Sequence, residues 1–360
     1  METFLVPTRI LSGPGAVGFL RDLHPRRLFL VTDPYFLKNG RAEAIGRASG
    51  AEQLEIFGEV APDPSLELAA AGTRRLLDFQ PDLLAALGGG SAMDLAKAIA
   101  YFASFQGKLA AIPTTSGSGS EVTSFAILTH QGVKHPLVDE SIRPDYAILD
   151  SDLLRELPTS LIADAGFDAI SHALEAWVGT RAGALSDLYA REAFCQAMRA
   201  LPGSFRGDRE QRLPMHLAST MAGIAFTQAG LGLCHGLSHC LGGQFHVPHG
   251  RLNAILLPEV LEVNSQAVQG KYAALARAAG LGGSADVLGV RNLKNALIRL
   301  RREMKLPKTL AEAGISRENL EGAMDILVAG TLADPCCETN PRQVTETLVR
   351  QVLDRVTGHG

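Results

Sequence analysis

The chain has 360 residues, of which 46% are hydrophobic and 20% are charged, and its formal net charge is −4. This composition is typical of a folded globular protein and excludes a disordered one, and the length suits two domains better than one core. A small negative charge gives no general attraction to nucleic acid or to anionic lipid, so we expect neither as a partner.

The N-terminal stretch METFLVPTRILSGPG has no basic segment followed by a longer apolar one. No apolar stretch in the chain approaches the length of a membrane span, so we expect no membrane partner. The five cysteines are few and odd in number, and they form no CxxC pair, which is typical of a reducing compartment. We therefore expect a cytoplasmic protein, and the sequence leaves enclosure in a bacterial microcompartment open.

Short apolar runs alternate with helix-like stretches through the first part of the chain. This pattern predicts an α/β domain, in which a parallel sheet is covered by helices on both faces. The predicted strands are Leu28–Thr32, Leu54–Phe57, Leu83–Leu87, Leu109–Ile112 and Tyr146–Leu149. The clearest predicted helices between them are Leu66–Phe79 and Ala92–Phe102.

The sequence pattern changes near Leu153. After this residue strand-like runs are rare, and most of the chain consists of long periodic segments rich in Ala and Leu. We predict an all-α domain there, with boundaries of 1–153 for the α/β domain and 154–360 for the helical domain. The intervening DSDLLRELP begins like a helix and contains no Gly/Ser linker, so we expect the domains to pack closely.

The first glycine motif in the chain is GPGAVG, over Gly13–Gly18, which matches the dinucleotide-binding pattern G-x-G-x-x-G. We discount it because the strand before it is weak and is interrupted by Pro7. Asp33, at the end of a predicted buried strand, is a different case. Its carboxylate can accept hydrogen bonds from an adenosine ribose and repel a 2′-phosphate, although a turn or helix-start aspartate is the simpler interpretation.

Two later loops have the chemistry of a phosphate site. A buried strand leads through Gly88, Gly89 and Gly90 into a helix that starts with Ser91, and glycines at a helix N-terminus expose amide groups that favour phosphate. The second loop, PTTSGSGSE from Pro113, follows the next strand, where ligands of open α/β sheets bind. A tight turn and a plain Ser/Gly loop are the structural alternatives.

Metal-ligating residue types occur at helical spacing in two segments. Asp168 and His172 are four residues apart, as are His235 and His239, so each pair can share a helix face and reach one ion. His249 follows between proline and glycine. A capping aspartate and core histidines would explain each pair alone, but together the residues predict a divalent metal site and a metal-assisted enzyme.

Five stretches together resemble the iron-dependent (group III) alcohol dehydrogenase family. They are GGGSAMDLAKA from Gly88, PTTSGSGSEVT from Pro113, DAISHALEA from Asp168, HGLSH from His235 with the later PHG, and DPCCETNPR from Asp334. The resemblance runs from the N-terminus to about Arg342. Within the family, QAGLGLC and GGQFHVPH are most similar to the 1-propanol dehydrogenases of propanediol utilisation.

The resemblance implies a Rossmann-like, dehydroquinate synthase-like N-terminal domain that binds the dinucleotide, a helical C-terminal domain, and a metal in the cleft between them. It implies Asp168, His172, His235 and His249 as the metal ligands. His239 is then left near the substrate, where an imidazole can relay a proton. The family implies Fe(II), and the same nitrogen-rich donor set also suits Zn(II).

The cofactor positions implied by the resemblance fall mainly in the two loops. They are Gly88, Gly89, Gly90 and Ser91 for the pyrophosphate, and Thr114, Thr115 and Ser118 around the nicotinamide half. Many relatives have threonine at the position of Ser118. Lys134 falls where family members use a lysine beside the phosphates or ribose. Asp33 falls where members that prefer NAD carry an acid, so the resemblance implies NAD rather than NADP.

The implied activity is the NAD-dependent interconversion of a short-chain primary alcohol and its aldehyde. Relatives are commonly homodimers, and we expect the same here. A glycerol dehydrogenase or dehydroquinate synthase with zinc, a non-haem iron oxygenase and a purely structural metal site are the alternatives. Phe125, Phe226 and Phe245 could line a substrate pocket or belong to an ordinary core, and the role of His246 stays open.

Overall fold

The structure, a computed structural model, describes residues 4–130 and 133–358. It divides into two compact units. The N-terminal unit is Leu5–Leu157, and the C-terminal unit begins at Pro158 and also includes Phe4. The boundary expected between residues 153 and 154 lies inside a short 3₁₀ helix, Ser151–Leu154, just before the observed division.

Six parallel strands form the sheet of the N-terminal unit, and two antiparallel strands form a separate hairpin. The strands are β1 (Arg9–Ser12), β2 (Arg27–Thr32), β3 (Gln53–Phe57), β4 (Leu83–Gly88), β5 (Lys108–Pro113), β6 (Phe125–His130), β7 (Val133–Val138) and β8 (Tyr146–Leu149). The order in the sheet is β1-β8-β5-β4-β2-β3, and β6 pairs with β7. Strands β2, β4 and β5 are almost continuously buried, as expected of parallel strands covered on both faces.

Helices cover both faces of this sheet. They are α1 (Pro34–Lys38), α2 (Arg41–Ala48), α3 (Leu66–Phe79) and α4 (Gly90–Phe102). Alternate residues of β2 enter opposite cores: Phe29 packs in one with Leu76 and Ile99, whereas Leu30 packs in the other with Phe36. The predicted α/β class is therefore confirmed, and every strand and helix predicted above is present to within two residues.

Three strands were not predicted. Strand β1 lies at the edge of the sheet and is mostly exposed, so it lacks the buried apolar run that marks the central strands. The hairpin of β6 and β7 is interrupted by Pro136 and carries polar residues along its length.

The discounted GPGAVG segment has a structural explanation. The backbone N–H groups of Gly15 and Val17 donate to the Asp150 carboxylate at 3.0 Å each. Asp150 is 1% exposed, so an acid of the same chain takes the position that a ligand phosphate would need.

The described residues of the C-terminal unit form helices joined by loops, with no strand among them. Its helices are α5 (Thr159–Val178), α6 (Ala184–Phe205), α7 (Arg212–Ala229), α8 (Leu233–Phe245), α9 (His249–Ala278), α10 (Asp286–Glu303), α11 (Arg317–Ala333) and α12 (Glu346–Val356). The predicted all-α character of this half is confirmed. Within the described residues, no single helix is long and apolar enough to span a membrane; one pair bent by 105°, Arg209–Ala229 with Leu233–Phe245, has the length and composition only when combined.

Candidate metal centre and cofactor loops

Three imidazoles surround the carboxylate of Asp168 in the C-terminal unit. The Nε2 atoms of His172, His235 and His249 lie 3.9, 3.8 and 3.5 Å from Asp168 Oδ1. These separations are too long for hydrogen bonds, but they suit ligands that each lie about 2.1 Å from one shared ion. The ligand atoms of Asp168, His235 and His249 also lie within 4.8 Å of one another.

His235 gives an independent indication that a cation belongs here. Its side chain is 1% exposed, and Nε2 is buried without a hydrogen-bond partner among the described residues. A buried polar atom left in this way costs about 1–3 kcal/mol, which coordination would offset. Three imidazoles and one carboxylate therefore fit a divalent transition metal.

Each donor is placed by a local feature of its helix. Asp168, His172 and Glu175 share one face of α5, because intervals of three and four residues return to the same face. His235 lies in the first turns of α8, and His249 begins α9 directly after Pro248. Gly250 lets α9 approach α5 closely, since a Cβ built there would overlap the backbone carbonyl of Asp164.

A second carboxylate, Glu175, holds His235 from the other side of the ring. Glu175 is 2% exposed, and its Oε2 lies 2.6 Å from His235 Nδ1. Its two oxygens also accept the backbone N–H groups of Gly232 and Cys234 at 3.0 and 2.7 Å. Glu175 therefore fixes both the start of α8 and the orientation of the imidazole.

The surrounding charges shift the pKa values of the central groups. Burial alone would raise the pKa of Asp168, but the nearby His172, His249 and His235 outweigh it and lower that pKa below its usual range. Burial alone would lower the pKa of His235, but Asp168 and Glu175 raise it to about 9. The acid is thus ionised, as a metal ligand must be.

Asn253 on α9 orients the central carboxylate. Its side-chain N–H donates to Asp168 Oδ1 at 2.9 Å, and its own oxygen accepts the Ser238 hydroxyl at 2.5 Å. Because Asn253 is fully buried, Asp168 is held in one position before any ion binds.

His239 lies beside this cluster. Its Nδ1 is 2.8 Å from Asp334 Oδ2, and its ring stacks on that of His249 at a centroid distance of 5.2 Å. The potential ligand group that contains His239 includes Asp334 and Cys336 instead of Asp168. The structure thus places His172, His235 and His249 around Asp168, and it pairs His239 with Asp334 at the edge of this cluster.

The other residues considered for the site lie at different places. Phe226 is buried and stacks on the ring of His172 at a centroid distance of 4.5 Å. Phe245 is half-buried near the end of α8, and Phe125 is half-buried at the start of β6. His246 is exposed and caps α8 in a left-handed conformation, with φ at 55°.

In the N-terminal unit, the two predicted cofactor loops lie against each other. Strand β4 ends at Gly88 and α4 begins at Gly90, so the first amide groups of α4 are left outside its own hydrogen-bond ladder. A Cβ on Gly89 would lie 3.4 Å from Thr115 Oγ1, and one on Gly90 would lie 3.4 Å from Ser118 Cβ. The glycine turn therefore faces the hydroxyl-rich loop directly.

Two of the flanking residues have defined partners. Asp33 Oδ1 caps α1 by accepting the N–H groups of Tyr35 and Phe36, while Oδ2 faces the turn, 3.4 Å from where a Cβ on Gly88 would lie. The helix-start interpretation of Asp33 therefore holds, with one carboxylate oxygen still directed at the glycines. Lys134 pairs with Asp63 at 2.8 Å.

Comparison with known proteins identifies the family. A model described as iron-containing alcohol dehydrogenase matches residues 7–151, and one described as the C-terminal part of the Fe-containing alcohol dehydrogenase family matches residues 162–357. The chain belongs to the iron-containing alcohol dehydrogenase family. As predicted, it is an oxidoreductase that acts on alcohols and aldehydes, and the zinc-dependent alternatives are not favoured.

Individual relatives of this iron-containing alcohol dehydrogenase match over nearly its whole length. The 1-propanol dehydrogenase PduQ of Salmonella typhimurium is 36% identical, with 99% of this chain and 100% of the relative covered. An NADPH-dependent butanol dehydrogenase of Clostridium saccharobutylicum is 34% identical, with 99% and 98% covered. The solved iron-containing alcohol dehydrogenase of Thermococcus thioreducens is 30% identical, with a TM-score of 0.91 and 98% and 99% covered. The predicted similarity to 1-propanol dehydrogenases is thereby confirmed.

Four polar residues of this alcohol dehydrogenase were missed as parts of the two sites. They are Glu175, Asn253, Asp334 and Lys97. Lys97 on α4 is 1% exposed, and its Nζ donates to Ser120 Oγ, Thr123 Oγ1 and the Phe125 carbonyl at 2.8–3.0 Å. The sequence does contain a signal for Lys97, because it is a charged residue within an apolar helical segment. Such a residue is buried only when polar partners surround it, so partners could have been predicted.

Proposed function

We propose that this alcohol dehydrogenase interconverts a short-chain primary alcohol and its aldehyde, with Fe(II) and NAD as its cofactors. The observation that carries the metal-dependent part is the convergence of three imidazole Nε2 atoms on Asp168 Oδ1, one of them buried without a hydrogen-bond partner. The names of the two curated relatives, a 1-propanol and a butanol dehydrogenase, support a short aliphatic substrate.

Asp168, His172, His235 and His249 would hold the ion, which supplies a Lewis acid that polarises the oxygen of the alcohol or aldehyde. Two neighbouring side chains already hold these ligands in place. Asn253 orients the Asp168 carboxylate and Glu175 orients the His235 ring, so little rearrangement is needed when the metal binds. Family membership supports Fe(II), and the same donors also accept Zn(II).

His239 is the proposed proton-handling residue. Its Nδ1 faces the Asp334 carboxylate at 2.8 Å, which favours the tautomer with the proton on Nδ1 and leaves Nε2 able to accept a proton. Burial would raise the pKa of Asp334, but the hydrogen bond from His239 lowers it to about 2, so the acid stays ionised. The pair can thus take up the hydroxyl proton of the substrate and pass it to solvent, since His239 is 24% exposed.

The cofactor that we propose is NAD, which supplies the hydride acceptor. We assign Gly88, Gly89, Gly90 and Ser91 to the pyrophosphate, since a Cβ on Gly89 or Gly90 would enter the space between this turn and Thr115 or Ser118. We assign Thr114, Thr115 and Ser118 to the nicotinamide half and Lys134 to the phosphates or ribose.

Asp33 is the residue that we propose to select NAD over NADP. Its Oδ2 faces the glycine turn, where it can accept ribose hydroxyls and would repel a 2′-phosphate. One relative is named as NADPH-dependent, so the preference has to be established for this chain.

We also propose a cytoplasmic homodimer, on the family resemblance. Analytical ultracentrifugation tests the dimer, which a purely monomeric sedimentation profile would exclude.

The decisive experiment is a panel of short alcohols and aldehydes, followed through NADH absorbance. Protein purified anaerobically is stripped of metal and reloaded separately with Fe(II) or Zn(II), and the metal-free protein and the His249→Ala variant serve as controls. We expect turnover with the metal-loaded protein and a loss of turnover in both controls. The absence of any absorbance change in either metal form, with NAD or NADP, would reject the proposed function.

A further inference from the structure

We propose that His239, Asp334 and Cys336 form a second metal site for a thiophilic divalent ion such as Zn(II). One ligand atom from each residue lies within 4.8 Å of the other two, and none of the three residues belongs to the donor set around Asp168. The inhibition argued below rests on the proposed function of His239, whereas metal binding itself does not.

Asp334 contacts both of the other residues. Asp334 Oδ2 lies 2.8 Å from His239 Nδ1, and Asp334 Oδ1 accepts the backbone N–H of Cys336 at 2.8 Å. The Asp–x–Cys segment enters a 3₁₀ helix, Pro335–Thr339, which fixes the aspartate and the cysteine relative to each other. A carboxylate oxygen, an imidazole nitrogen and a sulfur therefore converge from two short, ordered segments.

The donor set is that of a zinc site with one open position. Zinc in proteins is bound by Cys, His and Asp, and three protein ligands leave a fourth position for water. The side chains of His239 and Asp334 are 24% and 12% exposed, so an ion from solvent can reach the site through them. On binding, the zinc–sulfur bond replaces the sulfur–hydrogen bond of Cys336, and the thiol proton leaves to solvent. The zinc–nitrogen bond replaces the Nδ1–H bond of His239, and that proton moves to Nε2.

The two proposed sites differ in one ligand type. The site around Asp168 offers nitrogen and oxygen only, whereas this second site adds a sulfur. Thiolate ligands favour zinc over harder ions, so the second site should bind Zn(II) in preference to Mg²⁺ or Mn²⁺.

The neighbouring cysteine provides a matched control. Cys337 follows Cys336 directly but faces α8, because a Cβ built on Gly236 would fall 2.5 Å from its sulfur. A thiol at this position is therefore outside the proposed ligand group, although it belongs to the same segment.

Occupation of the second site should inhibit the enzyme. The ion would bind Nδ1 of His239 and an oxygen of Asp334, and the neutral imidazole would then carry its proton on Nε2. Nε2 could therefore no longer accept the substrate proton. Loss of a proton-handling group lowers turnover by about 100-fold or more. Excess zinc is therefore expected to inhibit, and removal of the weaker-bound ion with a mild chelator should restore activity.

The test uses cobalt as a spectroscopic probe, because a thiolate bound to Co(II) gives a charge-transfer band that nitrogen and oxygen ligands do not. Metal-free protein is titrated with Co(II), and the band and the bound metal per chain are recorded for the unchanged protein, Cys336→Ser and Cys337→Ser. We expect the stoichiometry to rise from about one to about two, and the band to appear with the second equivalent. Cys336→Ser should show neither the second equivalent of bound Co(II) nor the charge-transfer band, and Cys337→Ser should show both.

Activity at rising zinc concentration is measured on the same three proteins. Cys336→Ser should keep its basal activity and escape inhibition, whereas exchange of zinc into the first site would affect all three equally. A missing band, a band that survives in Cys336→Ser, or equal loss in Cys337→Ser would overturn the proposal. In His249→Ala the band should persist, so a failure of the first site can be told apart from a failure of the second.

Discussion

Glu175 and His235 form a buried carboxylate–imidazole pair in which Glu175 Oε2 lies 2.6 Å from His235 Nδ1. The opposite nitrogen of the ring faces Asp168. A hydrogen bond from Nδ1–H to Glu175 leaves Nε2 as the nitrogen that can lose its proton to a metal, so the pair orients the ring for coordination through Nε2.

Glu175→Gln is expected to weaken metal binding by about 10–100-fold. Glutamine keeps the size of the side chain, but its NH₂ group cannot accept a hydrogen bond. One of the hydrogen bonds that Glu175 now accepts, from His235 or from the backbone at the start of α8, would therefore be lost. Affinity is measured by competition with a chromophoric chelator. Glu338→Gln, at an exposed position of the same unit, is the control. Equal affinities for both variants would contradict the role assigned to Glu175.

His239→Ala and His249→Ala should separate proton handling from metal binding. We expect His239→Ala to lower turnover about 100-fold while its metal content stays near that of the unchanged protein. His249→Ala should lose the metal, because Nε2 of His249 is the imidazole nitrogen nearest to Asp168 Oδ1, at 3.5 Å. Metal analysis and steady-state kinetics of both variants test this division, which equal metal loss would rule out.

How far the sequence predicts the fold depends on burial. The central strands can be predicted from the sequence because helices cover both of their faces and their residues are continuously apolar, as in β4. Strand β1 has neither property, because only one edge is paired and most of its residues are exposed. Its position depends on the parallel partner β8, which follows it by more than 100 residues.

The site shows a similar limit. Spacing places Asp168 and His172 on one helix face, and it does the same for His235 and His239. Spacing does not show that His239 pairs with Asp334, since the two are 95 residues apart in the chain. Only the family resemblance indicated that His239 was not a ligand. Glu175 could have been predicted, because it continues the polar face of α5 in a buried stretch.

Asp33→Ser should shift the cofactor preference toward NADP. Serine can still cap α1, so the helix start is kept while the negative charge facing the glycine turn is removed. We expect the ratio of kcat/KM for NAD to that for NADP to fall by about tenfold, or about 1.4 kcal/mol. Asp22→Ser, at an exposed position of the same unit, controls for the loss of a charge. An unchanged ratio in Asp33→Ser would show that another residue selects the cofactor.

Lys97→Met should weaken cofactor binding as well as stability. The change leaves the Ser120 and Thr123 hydroxyls and the Phe125 carbonyl without their buried donor, at a cost of about 3 kcal/mol in the free energy of unfolding. Because these groups hold the hydroxyl-rich loop against α4, the KM for NAD should rise while the KM for the alcohol changes little. Parallel increases in both KM values would indicate general damage instead.

Gly250→Ala should disrupt the metal centre through packing alone. A methyl group at this position would overlap the Asp164 carbonyl on α5, and because that carbonyl belongs to the helix backbone, α9 must move away. His249 precedes Gly250 and would move with it, so we expect loss of metal together with a destabilisation of about 3 kcal/mol. Gly243→Ala on α8, where a Cβ would have no neighbour within 4 Å, is the matched control. Denaturant unfolding and metal analysis of both variants test the prediction, and a Gly250→Ala protein that keeps its metal and its stability would show that the contact between α5 and α9 does not position His249.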